Sequence, residues 1–338
     1  MLKNIIPLSI ITKNLAKFLY KYYNKNMRTI EIKENDGGQR LDKFLSKRFK
    51  TMPKSLMYKY IRTKYIKLNG KKCDKADFLK AGDVLTLYIK DEFFEDNPEK
   101  NYEFLKAPDK LDIVYEDENI LLIDKKQGVI VHQDKSYHFD SLVMRVQHYL
   151  YKKGEYNPEE EKAFSPALVN RIDRNTGGIV IAAKNAESLR ILNEKMRTRE
   201  IEKYYLCKLC GKPKHDHGFL EDYLIKNNST NTVKVYKKPV EGAKVIKTEY
   251  TVLESDGKTT LAEIHLHTGR THQIRAHMAF IGHPLVGDRK YGKNKKNFIN
   301  GKYQALYAYK LKFAFKSDAG KLNYLSNKEF KVKNVIFK

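Results

Sequence analysis

Three cysteines among 338 residues, Cys73, Cys207 and Cys210, are too few and too odd in number for a disulfide framework. They suit a reducing compartment, so the expected location is cytoplasmic. Cys207-Lys-Leu-Cys210 lies in KYYLCKLCG, which reads as a strand, and on a strand two residues three apart point to opposite faces. A zinc or redox site needs more than this lone pair. No apolar run approaches the ~20 residues of a bilayer-spanning helix, and no membrane partner is expected. IIPLSII near the start is short, and no small-residue cleavage site follows it. Also missing are Gly-x-Gly-x-x-Gly after a strand, the phosphate loop Gly-x-x-x-x-Gly-Lys-Ser/Thr, and His-Glu-x-x-His. Nothing suggests a nucleotide cofactor, an ATP site or a catalytic metal. An enzyme built on this chain is expected to work with side chains alone.

Acidic residues are outnumbered, 41 Asp and Glu against 66 Lys and Arg, for a formal net charge of +25. Such a balance says little about fold and predicts a polyanionic partner. The lysines are spread along most of the chain, which argues against a basic tail on a neutral body.

The length favours two domains. Residues 1–27 read as a basic extension, loosely ordered; Met27 opens the well-patterned sequence, and an upstream start is the alternative reading of what precedes it. Residues 28–90 read as a small domain. Leu41, Phe44, Leu45 and Phe49 recur at helical spacing. A second helix is expected from near Pro53, a residue tolerated in a first turn, with Leu56, Tyr60 and Ile61 facing inward and Lys59, Arg62 and Lys64 on the opposite face. Asn69-Gly70 between short β runs marks a hairpin. Residues 91–108, acidic and then Pro-containing, read as a linker. From 109 to 338 the pattern is mostly β. DIVYEDENILLIDK gives two short strands, Asp140 is placed as the cap of the helix SLVMRVQHYL, GIVIAAK is a buried strand, and Asn185 caps the helix that follows. KTEYTVLE and TTLAEIHLH are joined by a hairpin through residues 255–258. The fold class is α+β: a small N-terminal domain, then a mixed, mainly antiparallel sheet with flanking helices.

Two stretches carry the chemistry. In NRIDRNTGG, one carboxylate, Asp173, sits between Arg171 and Arg174. A carboxylate beside arginine stays ionised, which suits a nucleophile or base rather than an acid; alone, the pattern is also that of a structural salt bridge. The second stretch, HLHTGRTHQIRAHMAFIGHPLVGDRKYG, gathers Arg270, His272, Arg275 and His277 on or near one helix, a group suited to binding phosphate at a helix start. Gly282 and Pro284 end that helix.

Together the two stretches resemble the RluA type of pseudouridine synthase, which modifies uridines in large-subunit ribosomal RNA and some transfer RNA. The family's H-R-L-D-x-x-T-S/T-G is matched by residues 170–178. Its T-G-R-x-H-Q-I-R-x-H and G-H-P-x-x-G-D-x-x-Y-G segments are matched almost letter for letter, and its aromatic strand motif fits residues 203–206. Residues 28–90 are similar to the αL RNA-binding motif of a small-subunit ribosomal protein, through RLDKFL, IRTKYIKLNG and AGDVL.

The resemblance implies a catalytic Asp173, a Tyr205 that stacks on the target uracil, and an Arg275 that pairs with Asp173. Arg171 fills the space of the flipped base, and Ile172 packs beside the site. Arg174, Thr176, Arg270 and His272 join it as substrate-binding residues, with Arg62 and Lys64 on the small domain. RNA is the implied partner, ribosomal RNA ahead of transfer RNA, and the protein is expected to be a monomer. Three positions depart from the family: Asn170 for His, Gly177 for Ser or Thr, and Lys126 where proline is common.

The chemistry agrees with one carboxylate. Isomerising uridine breaks the glycosidic bond, turns the uracil and rejoins it through carbon, with no net redox change and no cofactor. Hydrolysis of such a bond usually needs two flanking carboxylates; NRIDRNTGG holds one, Asp173. A dry, aromatic-lined pocket is expected to keep water from the detached base. The competing readings are a non-catalytic RNA-binding or ribosome-assembly protein, which would bind RNA in a salt-sensitive way and leave it unchanged, and an RNA methyltransferase, which would need a cofactor loop.

Overall fold

A computed structural model of the chain describes residues 27–94, 102–133, 140–161, 163–292 and 299–337. The expected N-terminal extension up to residue 26 lies outside them, as does the middle of the expected linker.

The described chain forms two compact units, one from residues 27–102 with 157–165, the other from 103–156 with 166–337. The first holds β1 (Met27–Glu31), α1 (Leu41–Arg48), α2 (Lys54–Arg62), β2 (Ile66–Leu68), β3 (Lys71–Lys72) and β4 (Val84–Tyr88), the strands in the order β1-β4-β2-β3. Its core includes the predicted helical stripe: Leu41, Phe44, Leu45 and Phe49 are all buried. On α2 the inward side chains are Met57 and Ile61; Leu56 and Tyr60 only flank the core. The helix starts at Lys54, after Pro53. Asn69 and Gly70 turn with φ 51° and 72°, the left-handed pair a two-residue hairpin of this type needs. Lys59, Arg62 and Lys64 are exposed. In the expected linker, Phe93 is buried in this unit's core and Phe104 is buried against the rings of Tyr151 and Tyr156 in the second unit. Apolar anchors thus extend both units into a stretch whose charge suggested solvent.

The second unit is built on one large mixed sheet. Its elements are β5 (Ile113–Glu116), β6 (Ile120–Lys125), α3 (Leu142–Lys152), β7 (Ala167–Leu168), β8 (Gly177–Ala183), α4 (Ala186–Arg197), β9 (Ile201–Cys210), β10 (His217–Asn227), β11 (Thr232–Tyr236), β12 (Lys244–Ser255), β13 (Thr259–Leu266), α5 (Gln273–Phe280), β14 (Leu306–Phe313) and β15 (Glu329–Lys331). The strand order is β11-β10-β12-β13-β9-β14-β8-β6-β5, with β15 beside β14 and β7 beside β8. All pairings are antiparallel except β8 with β14. Every residue of β8 is buried, the continuous apolar run of a strand covered on both faces. Asn185 caps α4 as expected, its side chain accepting from the Ser188 amide at 2.9 Å. The cap position of α3 is Ser141, not Asp140. Arg145 draws the Asp140 carboxylate into a two-point ion pair at 2.6 and 2.7 Å, so the side chain turns outward along the helix.

The β8–β14 pairing explains one departure from the family motif. Tyr307 lies opposite Gly177 and Ala308 opposite Gly178. A Cβ on Gly177 would sit 2.3 Å from Cε2 of Tyr307, and one on Gly178, whose φ is +115°, only 2.2 Å from the Ala308 carbonyl oxygen. Tyr307 occupies the room a serine would use, and its hydroxyl donates to Asp124 at 2.6 Å. Restoring the motif with Gly177→Ser is therefore expected to destabilise the fold by about 1–3 kcal/mol through overpacking. Urea denaturation would measure this, and in a Tyr307→Leu background the same change should cost less than about 1 kcal/mol.

Candidate active site

Asp173 lies in the loop that enters β8, where a turn is closed by the Thr176 amide donating to the Asp173 carbonyl at 3.0 Å. Its side chain is 28% exposed, so the carboxylate is anchored yet reachable. Thr176, expected to bind substrate, is buried, and its hydroxyl oxygen accepts from Gln304 at 3.3 Å. It stabilises the loop from within. Arg171 and Arg174 flank Asp173 on the exposed side, and Arg174 Nε donates to the Gly128 carbonyl at 3.2 Å. Ile172 is buried, and Asn170 uses its amide to tie the loop to β8, accepting from the Ile181 amide at 2.8 Å.

The partner of Asp173 comes from 102 residues away. Arg275 Nη1 donates to Asp173 Oδ2 at 3.1 Å. Its other two donors grip Asp288, Nε to Oδ2 at 2.7 Å and Nη2 to Oδ1 at 2.9 Å. Asp288 is buried, and its Oδ1 also accepts the Lys290 and Tyr291 amides. The planar guanidinium is thus fixed by a two-point contact on one edge and aims its remaining nitrogen at Asp173. Burial works against the charge of Arg275, but Asp288 and Asp173 outweigh it and hold its pKa above the ordinary value.

His272 precedes α5 in a left-handed conformation, φ 52°, uncommon for a non-glycine residue. The turn places its Nε2 3.7 Å from Asp173 Oδ2 and its Nδ1 2.7 Å from the Tyr291 hydroxyl. Burial first, and the nearby Arg275 and Lys290 charges after it, press its pKa below the usual imidazole value, against the pull of Asp173. Tyr205 is buried on β9, and its phenol pKa is raised by that burial and then by the Asp173 charge. Tyr291 is pushed up to about 12, chiefly by burial.

The sequence-predicted group divides here. Asp173, Arg275, His272 and Tyr205 come together, and Arg171 and Arg174 border them. Arg270 is exposed just before α5. His277 does not belong: it is fully buried between Thr248, at 2.9 Å, and Asp222, at 3.0 Å. The helix start is not an open phosphate site either, because Gln273, Ile274 and Arg275 are buried and the Gln273 side chain accepts the Arg270 amide at 3.1 Å. Arg62 and Lys64 belong to the other unit and are exposed.

Asp288, Tyr291 and Lys125 contact this cluster or its loop, and sequence reading missed them. Asp288 and Tyr291 lie inside the matched G-D-x-x-Y-G segment, which was itself the available signal. Lys125, at the end of β6, is buried and donates to the carbonyls of Lys126, Val129 and Arg174 at 3.1, 2.8 and 3.0 Å, stitching a second loop to the Asp173 loop. Its pKa is pushed down to about 7 by burial, with Asp173 and Asp124 opposing.

The chain is similar to several known proteins. The profile described as RNA pseudouridylate synthase matches residues 119–280. A Mycoplasma capricolum protein named as an uncharacterized RNA pseudouridine synthase is 36% identical over 88% of this chain and 94% of its own length. The ribosomal large subunit pseudouridine synthase C of Vibrio cholerae is 32% identical over 79% of this chain and 81% of its own. Among solved structures, human RNA pseudouridylate synthase domain containing 4 superposes with a TM-score of 0.52 at 20% identity, over 65% of this chain and 87% of that one, which establishes likeness of fold.

Proposed function

This chain belongs to the RNA pseudouridylate synthase family, and from that premise we propose that Asp173 carries out the isomerisation, on uridines of large-subunit ribosomal RNA. The observation that carries the reading is the 3.1 Å contact between a part-exposed Asp173 and a buried Arg275. It joins an anionic group that a substrate can reach to a cation that has no freedom to move away. Asp173 then attacks the sugar or removes a sugar proton, the bond from the sugar to the uracil nitrogen breaks, and the uracil turns and bonds through its ring carbon, which releases the aspartate or returns its proton. That ring carbon gives up its hydrogen as a proton and the freed nitrogen takes one up. Tyr205 offers a ring for the uracil to stack on, with Tyr291 and His272 behind the carboxylate. Arg171 takes the space left in the RNA, and Arg174, Arg270 and His272 engage the backbone or the flipped nucleotide. Extruding the base costs a few kcal/mol, which contacts from a chain of net charge +25 offset along the phosphates. Residues 28–90 act as an αL-type RNA-binding domain through Arg62 and Lys64. The protein works as a monomer in the cytoplasm and needs no cofactor.

Ribosomal RNA is favoured over transfer RNA because relatives covered over most of their length carry the name ribosomal large subunit pseudouridine synthase. Mapping pseudouridines in total RNA from cells with and without this gene tests the choice. The expected outcome is loss at one or a few large-subunit positions. Loss confined to transfer RNA would reassign the substrate, and an unchanged map would overturn the reading.

A further inference from the structure

Three neighbouring strands of the large sheet bring an unusual set of side chains to one face. His265 lies near the end of β13 and His267 just beyond it, and their ring centroids are 4.0 Å apart. Glu249 on β12 lies directly opposite His265, and His217 at the start of β10 lies opposite Thr251, two residues along from Glu249. His267 Nε2 is 2.9 Å from Glu249 Oε2, His265 Nδ1 is 3.5 Å from the same oxygen, and His217 Nε2 is 3.6 Å from Glu249 Oε1. One ligand atom from each of Glu249, His265 and His267 fits within 4.8 Å of the others. A tetrahedral ion bound at zinc distances separates its ligands by about 3.3 Å, so these atoms already stand close to the edges such an ion requires.

The surroundings hold the rings in place. Tyr204 stacks on His265 at 4.3 Å with an interplanar angle of 18°. His217 Nδ1 lies 3.3 Å from the Thr251 hydroxyl, which leaves its Nε2 turned towards Glu249. Fixing the far nitrogen in this way is how imidazole ligands are commonly oriented. The Glu249, His265 and His267 side chains are between a fifth and a third exposed, sheltered but open to an entering ion. A carboxylate needs one imidazole to form an ion pair; three gathered around one glutamate match a metal's ligand set better.

We propose that Glu249, His265 and His267, with His217 as a fourth ligand, form a site for a divalent transition metal of the zinc type. Neighbouring residues on a strand face opposite ways, so Tyr204, stacked on His265, and Tyr205, under the charge of Asp173, lie on opposite faces of β9. The site is therefore a clamp across β10, β12 and β13 on the far side of the sheet from Asp173, with no part in the chemistry there. It rests on these four residues alone and stands whether or not Asp173 is the catalytic group.

The test uses the full-length chain without a histidine tag, stripped with chelator and titrated with zinc chloride by calorimetry. Metal content after dialysis is counted by mass spectrometry. One zinc per chain is expected, with affinity at least tenfold weaker in His265→Ala, in His267→Ala and in the isosteric Glu249→Gln, and a smaller loss in His217→Ala. Zinc should raise the melting temperature of the wild type and leave that of Glu249→Gln unmoved. Circular dichroism checks that each variant folds, and Glu249→Gln serves should an alanine variant fail. No stoichiometric zinc in the wild type, or unchanged zinc in the His265→Ala, His267→Ala double variant, would overturn the site.

Discussion

Asp173→Asn is expected to fold normally, bind RNA within a few-fold of the wild type, and form pseudouridine at least about a thousandfold more slowly. The fold should survive because asparagine has the same shape and keeps an oxygen that can accept from Arg275 Nη1, now 3.1 Å from Oδ2. The side chain is also part exposed, so the loss of one charge leaves no large hole. RNA affinity should survive because removing a single negative charge from a chain of net charge +25 does not weaken its attraction to phosphate. Activity should not survive, since a neutral amide neither attacks a sugar carbon nor takes a proton at a useful rate. Carbodiimide treatment and primer extension on the target RNA would score the product, with circular dichroism as the control for folding. Near-normal turnover in this variant would remove Asp173 from the mechanism.

Arg275→Met is expected to cost both stability and activity. Asp288 is buried, and its two strongest contacts are the two guanidinium nitrogens. Removing the arginine leaves a carboxylate in the interior with, among the described residues, the Lys290 and Tyr291 amides, a loss of about 3–5 kcal/mol for a broken buried pair. Arg275→Lys should recover some stability and little activity, because a point charge cannot hold two carboxylates that a planar fork serves at once. Adding Asp288→Asn to Arg275→Met separates the two roles. The neutral amide can still accept the backbone N–H groups, so denaturant midpoints should rise again while turnover stays low. Recovery of turnover along with stability would mean that Arg275 supports the fold and does nothing for Asp173.

Much of the architecture was legible because it is local. Leu41, Phe44, Leu45 and Phe49 announced α1 by spacing, Asn69-Gly70 announced its hairpin by the left-handed angles both residues tolerate, and Asn185 announced the start of α4. The α+β character and the mainly antiparallel sheet followed from alternating segments. Asp140 misled because a short acidic side chain before a helix is a good cap until a nearby arginine offers it a charged partner. His277 misled because its place in a matched motif says nothing of which way it faces on the helix.

Net charge, the run of elements and the motif carrying Asp173 are properties of neighbours in the chain, where backbone angles and side-chain period act over a few residues. These the amino-acid order determined by itself. Only the tertiary structure decided that Arg275 is held by Asp288 before it reaches Asp173, that Tyr307 fills the room beside Gly177, and that Lys125 ties two loops together. Each is a contact between residues far apart along the chain, and which such pair forms depends on how strands are ordered in the sheet and on what burial leaves as the available partner.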